Sequence, residues 1–208
     1  ATGLEDAVRV AGDVTSNDTD VEGAVLTVVG ASLDVDGDGD QDTLGVGIAT
    51  PVTDGAGPVG TLTLNGDGSF AFVPAADWFG TVAPVTYTVD DGSGAPNATA
   101  AAVLGITIDP VNDGPVAGDD AFVTDEDTAV TIAVGGNDTD VDGDALTITE
   151  VDGQAIVDGG AAAPVTNGSV QLVAGDLIFT PTADYIGPVS FTYTVDDGQG
   201  QANSTDTA

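Results

Sequence analysis

Apolar and polar residues alternate along most of this chain, in short runs cut by turns rich in glycine and aspartate. In residues 189–195, Phe191, Tyr193 and Val195 fall at every second position. Period-two alternation puts successive side chains on opposite faces of a strand, whereas a helix needs apolar residues every three or four positions. No segment has the helical period, so almost no helix is expected. In the later half, strands are expected at residues 121–124, 129–134, 145–151, 169–173, 176–180 and 189–195. Turn signals separate them at Asp142-Gly143, Asn167-Gly168, Gly175-Asp176 and Asp197-Gly198. The earlier half matches with strands at 7–11, 25–31, 59–64, 69–73, 84–89 and 100–108. Many short, half-apolar strands at this spacing predict β-sandwiches.

The two halves are copies. Asn17-Asp18-Thr19-Asp20-Val21-Glu22-Gly23 returns as Asn137-Asp138-Thr139-Asp140-Val141-Asp142-Gly143, an offset of 120. Tyr87-Thr88-Val89-Asp90-Asp91-Gly92 returns as Tyr193-Thr194-Val195-Asp196-Asp197-Gly198, an offset of 106. Between them, Phe72-Val73-Pro74 through Trp78-Phe79-Gly80 matches Phe179-Thr180-Pro181 through Tyr185-Ile186-Gly187. Ordered matches of this kind mark a tandem duplication. The falling offset puts an insertion inside the first copy. The expected domains are 1–109 and 110–208, joined at Asp109-Pro110-Val111-Asn112-Asp113-Gly114-Pro115, a short linker stiffened by two prolines. The second copy is expected to lack its final strand, which would leave an open sheet edge. The chain thus reads as a piece of a longer array.

Composition narrows the function. Of 208 residues, 35 are acidic and only Arg9 is basic, for a net charge of −34 with no histidine. Glutamate occurs only at Glu5, Glu22, Glu126 and Glu150, so nearly all the acid is aspartate. Nucleic acids and anionic membranes need cations to meet their phosphates, so both partners are excluded. The absence of Cys, His and Lys removes disulfides and most nucleophilic, Schiff-base and zinc chemistry. No apolar run approaches the ~20 residues of a membrane span. With 41% hydrophobic residues and a mean hydropathy of +0.19, the chain still has the material for a core. The charge fits a solubilising coat. It equally fits short carboxylates held near backbone turns, the arrangement that hard divalent cations use.

The combined motifs resemble bacterial cadherin-like tandem repeats. These motifs are Glu-Asp before the second strand, Asn-Asp-Thr-Asp after it, Phe-x-Pro and Asp-Asp-Gly around the penultimate strand, and Pro-Val-Asn-Asp-Gly-Pro between copies. The resemblance covers essentially the whole chain. It implies an all-β fold of two tandem Greek-key, cadherin- or Ig-like β-sandwich domains, of the kind built into large RTX-type surface adhesins. It also implies Ca²⁺ at domain junctions. Carried over by position, the ligands are Glu5 and Asp77 from the first domain, Asp109, Asn112 and Asp113 from the linker, and Asp138, Asp140 and Asp196 from the second. The loop before Trp78 or Tyr185 holds a lone aspartate rather than the family's acidic cluster, which favours one or two ions over three.

The residues also speak for themselves. Ca²⁺ takes six to eight oxygens, and alternate acids such as Asp138 and Asp140 project so that both reach one ion. The competing reading is that these side chains cap their own turns; Asp91, Asp142, Asp144 and Asp197 are expected as solvated turn residues or as groups that stand behind the ligands rather than as ligands. The insertion offers a second candidate, with Asp34, Asp36, Asp38, Asp40 and Asp42 at alternate positions and a glycine at the sixth. This resembles the start of an EF-hand-like loop. Its twelfth position is Gly45, so a flexible acidic loop is the alternative.

Acids at matching turn positions do not make one asymmetric cleft, so no enzyme is expected. The expected role is a calcium-rigidified extender of a bacterial cell-surface adhesin, extracellular and serving cell adhesion or biofilm, with neighbouring repeats of the same chain as partners. The alternative is a filament or surface-layer module that adds β-strands between like chains through exposed edges.

Overall fold

Val, Thr, Ile and Phe at alternate positions form strands in both halves of the chain, and each half closes its own core. The computed structural model describes residues 1–208 and divides into two units, Ala1–Val111 and Asn112–Ala208. There is no α-helix, and no helix long and apolar enough to cross a membrane. The only helical turns are short 3₁₀ segments at Val14–Asn17 and Val134–Gly136.

The first unit contains β1 (Thr2–Leu4), β2 (Val10–Asp13), β3 (Thr27–Leu33), β4 (Asp42–Leu44), β5 (Thr50–Thr53) and β6 (Pro58–Leu64). It continues with β7 (Ser69–Pro74), β8 (Gly80–Thr81), β9 (Val85–Asp90), β10 (Thr99–Leu104) and β11 (Thr107–Asp109). Two four-stranded antiparallel sheets, β2-β7-β6-β5 and β10-β9-β3-β4, make the sandwich. Every second residue of β9 (Val85, Tyr87 and Val89) is buried in the core with Leu33, Leu62 and Phe72. The strand expected at 100–108 is divided. β10 stays on β9, whereas β11 crosses to a third sheet, β1-β11-β8, where it runs parallel to β1 and antiparallel to β8. That crossing sinks Ile106 and Ile108 into the core, each 1% exposed.

The second unit contains β12 (Val130–Ile132), β13 (Thr147–Val151), β14 (Gln154–Ala155), β15 (Ala163–Val165) and β16 (Gly168–Val173), followed by β17 (Asp176–Pro181), β18 (Tyr193–Asp196) and β19 (Thr205–Thr207). Its sheets are β12-β17-β16-β15 and β14-β13-β18-β19. Val151, Val170, Leu177 and Phe179 are at most 1% exposed and form its centre. Phe122, Phe179 and Phe191 pack together, with ring centroids 5.5–6.1 Å apart.

Three expectations are corrected here. The final strand of the second copy is present in part: β19 pairs with β18 over three residues, Thr205↔Asp196 to Thr207↔Thr194, as the start of β10 pairs with β9, and no strand matches β11. The strand expected at 121–124 does not form, and the one expected at 189–195 begins only at Tyr193. The last two share a physical reason. In the first unit β1 is held by β11 and the start of β9 by β10, with Leu104 opposite Val85; the second unit has no pairing at these places. β1, β4, β5, β8, β14 and β15 were not expected, being two to four residues long and too short to show a period.

One glycine position recurs for a steric reason. Gly80 (φ +139°) and Gly187 (φ +158°) each lie under the aromatic ring two residues earlier. A Cβ on Gly187 would sit 2.7 Å from the Tyr185 hydroxyl, and one on Gly80 would sit 3.3 Å from the Trp78 ring. Trp78 and Tyr185 therefore form a corner, as their matching positions suggest. Trp78 also packs edge-on to Phe72, 6.5 Å between centroids.

Two outcomes follow from this packing. Phe179→Ala should destabilise the second unit by about 3–5 kcal/mol, the range for emptying a buried aromatic site, measured by denaturant unfolding. Asp206, on β19, accepts a hydrogen bond from the Ala117 N–H at 2.9 Å, which with the Thr207 N–H holds its carboxyl below the ordinary 3.8. A depressed folded-state value stabilises fully above the ordinary one and is lost as pH falls through it. Hydrogen-exchange protection at the Ala117 N–H should therefore fall in Asp206→Asn at neutral pH, and the difference from the parent should shrink below about pH 4.

Candidate metal centre

Aspartates in this fold are placed by their own turns. The loop after β3 has Gly37 and Gly39 at positive φ, which lets its backbone curl over the side chains. Asp34 accepts from the Gly37 N–H at 2.7 Å and the Gly39 N–H at 3.0 Å. Asp36 accepts from the Asp38 N–H, Asp38 from the Asp40 N–H, and Asp42, at the start of β4, from the Val35 N–H. Carboxylate oxygens of Asp34, Asp36 and Asp42 come within 4.8 Å of one another. Asp38 and Asp40 do not join that group and are exposed.

A second group forms after the turn that follows β12. Asp140, Asp142 and Asp144 present carboxylate oxygens within 4.8 Å of one another. Asp140 Oδ1 accepts from the Asp144 N–H at 3.1 Å, while its Oδ2 is buried without a hydrogen-bond partner. Asp142 Oδ2 accepts from the Asp113 N–H at 2.8 Å, and Asp144 Oδ2 from the Gln199 side chain at 2.8 Å. Three carboxylates this close repel by roughly 4 kcal/mol per pair at ~4 Å and an effective dielectric near 20. The chain has no basic residue but Arg9 to relieve them. A hard divalent cation suits the set: the donors are all oxygen, and one buried oxygen is otherwise unmet.

Asp138 belongs to a different arrangement. Its Oδ1 accepts from the Gly118 N–H at 2.8 Å and from the buried Tyr193 hydroxyl at 2.9 Å, and its Oδ2 is buried without a partner. The same hydroxyl lies 2.9 Å from the Gly118 carbonyl and 3.1 Å from Asp120 Oδ2. Burial, then the two carboxylates, push the Tyr193 pKa up. The first unit repeats the device. The Tyr87 hydroxyl meets Asp18 at 3.0 Å and the Val14 carbonyl at 3.1 Å, and its pKa is pushed up to about 12, by burial first and Asp18 second.

The other expected ligands take up places in their own units. Glu5 is 3% exposed; it accepts from the Val111 N–H, and its own N–H donates to the carbonyl of Asp109, the exposed last residue of β11. Asp77 is exposed in a left-handed turn (φ +56°), as is its counterpart Asp184 (φ +60°). In the second unit, Asn112 donates through its side-chain amide to Asp197 Oδ2 at 2.9 Å. Asp196 Oδ1 accepts from the Gly198 N–H in its own turn. Asp197 is 4% exposed; burial alone would raise its carboxyl, but hydrogen bonds from Asn112, the Gln199 N–H and Ser204 outweigh this and hold it below the ordinary range.

The bacterial Ig domain family matches twice, over residues 1–107 and 112–208. The chain belongs to that family. A comparison with curated proteins finds no match. Bacterial Ig domains are typically non-enzymatic and commonly serve as structural modules of extracellular surface proteins, which agrees with a chain whose acids lie in turns.

Some of the candidate site was not foreseen. Asp142 and Asp144 were expected as solvated turn residues or as groups behind the ligands, yet they stand with Asp140. The signal was the run Asp138, Asp140, Asp142, Asp144 at every second position. The Glu126, Asp127 and Asp184 carboxylates also converge, from positions 57 residues apart where the Asp184 N–H meets Asp127, and no local pattern foretold it.

Removing the Tyr193 hydroxyl takes one of the two donors from Asp138 Oδ1, the other being the Gly118 N–H, while leaving the ring in place. Tyr193→Phe should cost about 1.5–3 kcal/mol, the range for losing a hydrogen bond to a charged group, and Tyr87→Phe, which loses the bond to Asp18, should do the same in the first unit. Denaturant unfolding measures both.

Proposed function

We propose that this chain is a calcium-rigidified extender segment of a large bacterial cell-surface adhesin: non-catalytic, secreted, and working next to further repeats of the same kind. The observation that carries this reading is the Asp140–Asp142–Asp144 group with its buried, unpartnered Asp140 oxygen, in a chain whose only basic side chain is Arg9. Asp140, Asp142 and Asp144 would hold one ion in the second unit, and Asp34, Asp36 and Asp42 a second in the first. The ion supplies charge neutralisation and cross-links loop segments that otherwise repel; no bond is made or broken. Membership of the bacterial Ig domain family supports a mechanical role over a catalytic one.

A calcium titration followed by calorimetry and thermal melting tests the proposal. Calcium at ~100 times its dissociation constant adds about 2.7 kcal/mol per site, which for domains of this size is a rise of roughly 10–20 °C. Asp140→Asn with Asp142→Asn should abolish the gain in the second unit, and Asp34→Asn with Asp36→Asn the gain in the first. Glu5→Gln and Asp77→Asn test the other ligands expected from the first unit. Equal melting in chelator and in millimolar calcium would reduce the acids to a solubility coat.

A further inference from the structure

We infer that the second unit carries a cleft for a small aliphatic ammonium ion, a protonated amine on a short alkyl chain. The cleft has a volume of about 400 Å³ and lies among the start of β13, the loop after β14 and the β16–β17 turn. Leu146, Ile148, Ile156 and Leu172 line it, with Asp138 and Asp158. Ile156 and Leu172 belong to the core of the unit, whereas Val157 at the rim is 69% exposed.

Two local differences from the first unit open this cleft. The Gly47 N–H donates to the Leu64 carbonyl as the Gly159 N–H donates to the Leu172 carbonyl, which aligns Val46 with Asp158. Val46 packs against the core; Asp158 is exposed and cannot fill that place. The turns differ too. Between β6 and β7 four residues, Asn65 to Gly68, let the Gly66 carbonyl accept from the Val28 N–H at 2.9 Å. Between β16 and β17 the chain turns in two, Ala174-Gly175, and no such bond reaches Ile148. Val28 is accordingly buried, and Ile148 only half-buried.

Charge decides the occupant. Asp158 Oδ1 accepts from the Ala174 N–H at 2.6 Å and so fixes the rim. Ala174 pays for this with φ +54°, a conformation that every other non-glycine residue adopting it here meets as aspartate or asparagine. Strain held in place beside a cavity points to a site. Asp138 gives one oxygen to Tyr193 and Gly118 and keeps the other buried without a donor. An anion is repelled by these carboxylates, and a neutral molecule leaves them unanswered. A bare metal ion makes no use of aliphatic walls. An alkylammonium ion places its chain against Leu146, Ile148 and Leu172 and its charge by the carboxylates. This inference stands apart from the calcium reading, which uses Asp140, Asp142 and Asp144, and its test is run in chelator.

The probe is n-pentylammonium chloride, titrated into the full 208-residue chain and followed by amide NMR in about 0.15 M salt, which screens diffuse attraction beyond ~8 Å. The expected result is saturable shifts at Ile148, Val157, Ala174 and Gly175, with Val28 and Gly66 of the first unit unmoved. Pentanol, which has the body without the charge, and methylammonium, which has the charge without the body, should each bind about tenfold more weakly or worse. Asp158→Asn keeps an acceptor for the Ala174 N–H while removing the charge, and should weaken pentylammonium but leave pentanol unchanged. Absence of saturable shifts, equal binding by pentanol, or binding untouched by Asp158→Asn would overturn the inference. Shifts spread over the acidic turns of both units would mean a diffuse counter-ion only, and likewise overturn it.

Discussion

A chain with 35 acids and one arginine has one abundant neutral partner for its charge, the backbone N–H. Asp13, Asp20, Asp34, Asp54, Asp67, Asp90, Asp91 and Asp196 each turn a carboxylate oxygen onto an amide two to five residues ahead. A carboxylate is a stronger acceptor than a carbonyl, and a short side chain reaches these amides where glutamate would overshoot. The near-exclusive use of aspartate follows from this. The carboxyls of Asp54, Asp67 and Asp91 accordingly sit below their ordinary range, with hydrogen bonds from the residues just ahead the leading cause in each.

The places where this local solution runs out are informative. Asp138 and Asp140 each keep one buried oxygen that no amide reaches. For Asp138 the other oxygen is tied to Tyr193, joining the loop after β12 to β18. For Asp140 the neighbours are further carboxylates, those of Asp142 and Asp144. The Asn-Asp-Thr-Asp motif of the second unit therefore combines two jobs: Asp138 locks the sandwich through tyrosine, and Asp140 faces the acids of its own loop.

The sandwich was legible in the sequence because burial alternates as strictly as hydrophobicity does; Val85, Tyr87 and Val89 in β9 and Tyr193 and Val195 in β18 are all core residues. The duplication also showed where equivalent residues fall. What stayed hidden depended on pairing between distant segments. Residues 121–124 have the composition of a strand, but a strand needs a neighbour. The expected strand at 100–108 is continuous in pattern, yet it changes sheets at Gly105, because Ile106 and Ile108 are better buried beside β1 and β8. At the candidate site, the alternation of acids was visible, but which of them would meet a tyrosine, an amide or each other was set by loops too irregular to read from spacing.

The pairing of β1 with β11 joins Thr2 to Thr107, the two ends of one unit. Contacts so distant along the chain form late, after the entropy of closing a long loop has been met. The third sheet cannot assemble until the last residues of the unit have been synthesised. The β2-β7-β6-β5 sheet is complete by Pro74, so the last residues of the unit close a sandwich whose first sheet needs nothing from them.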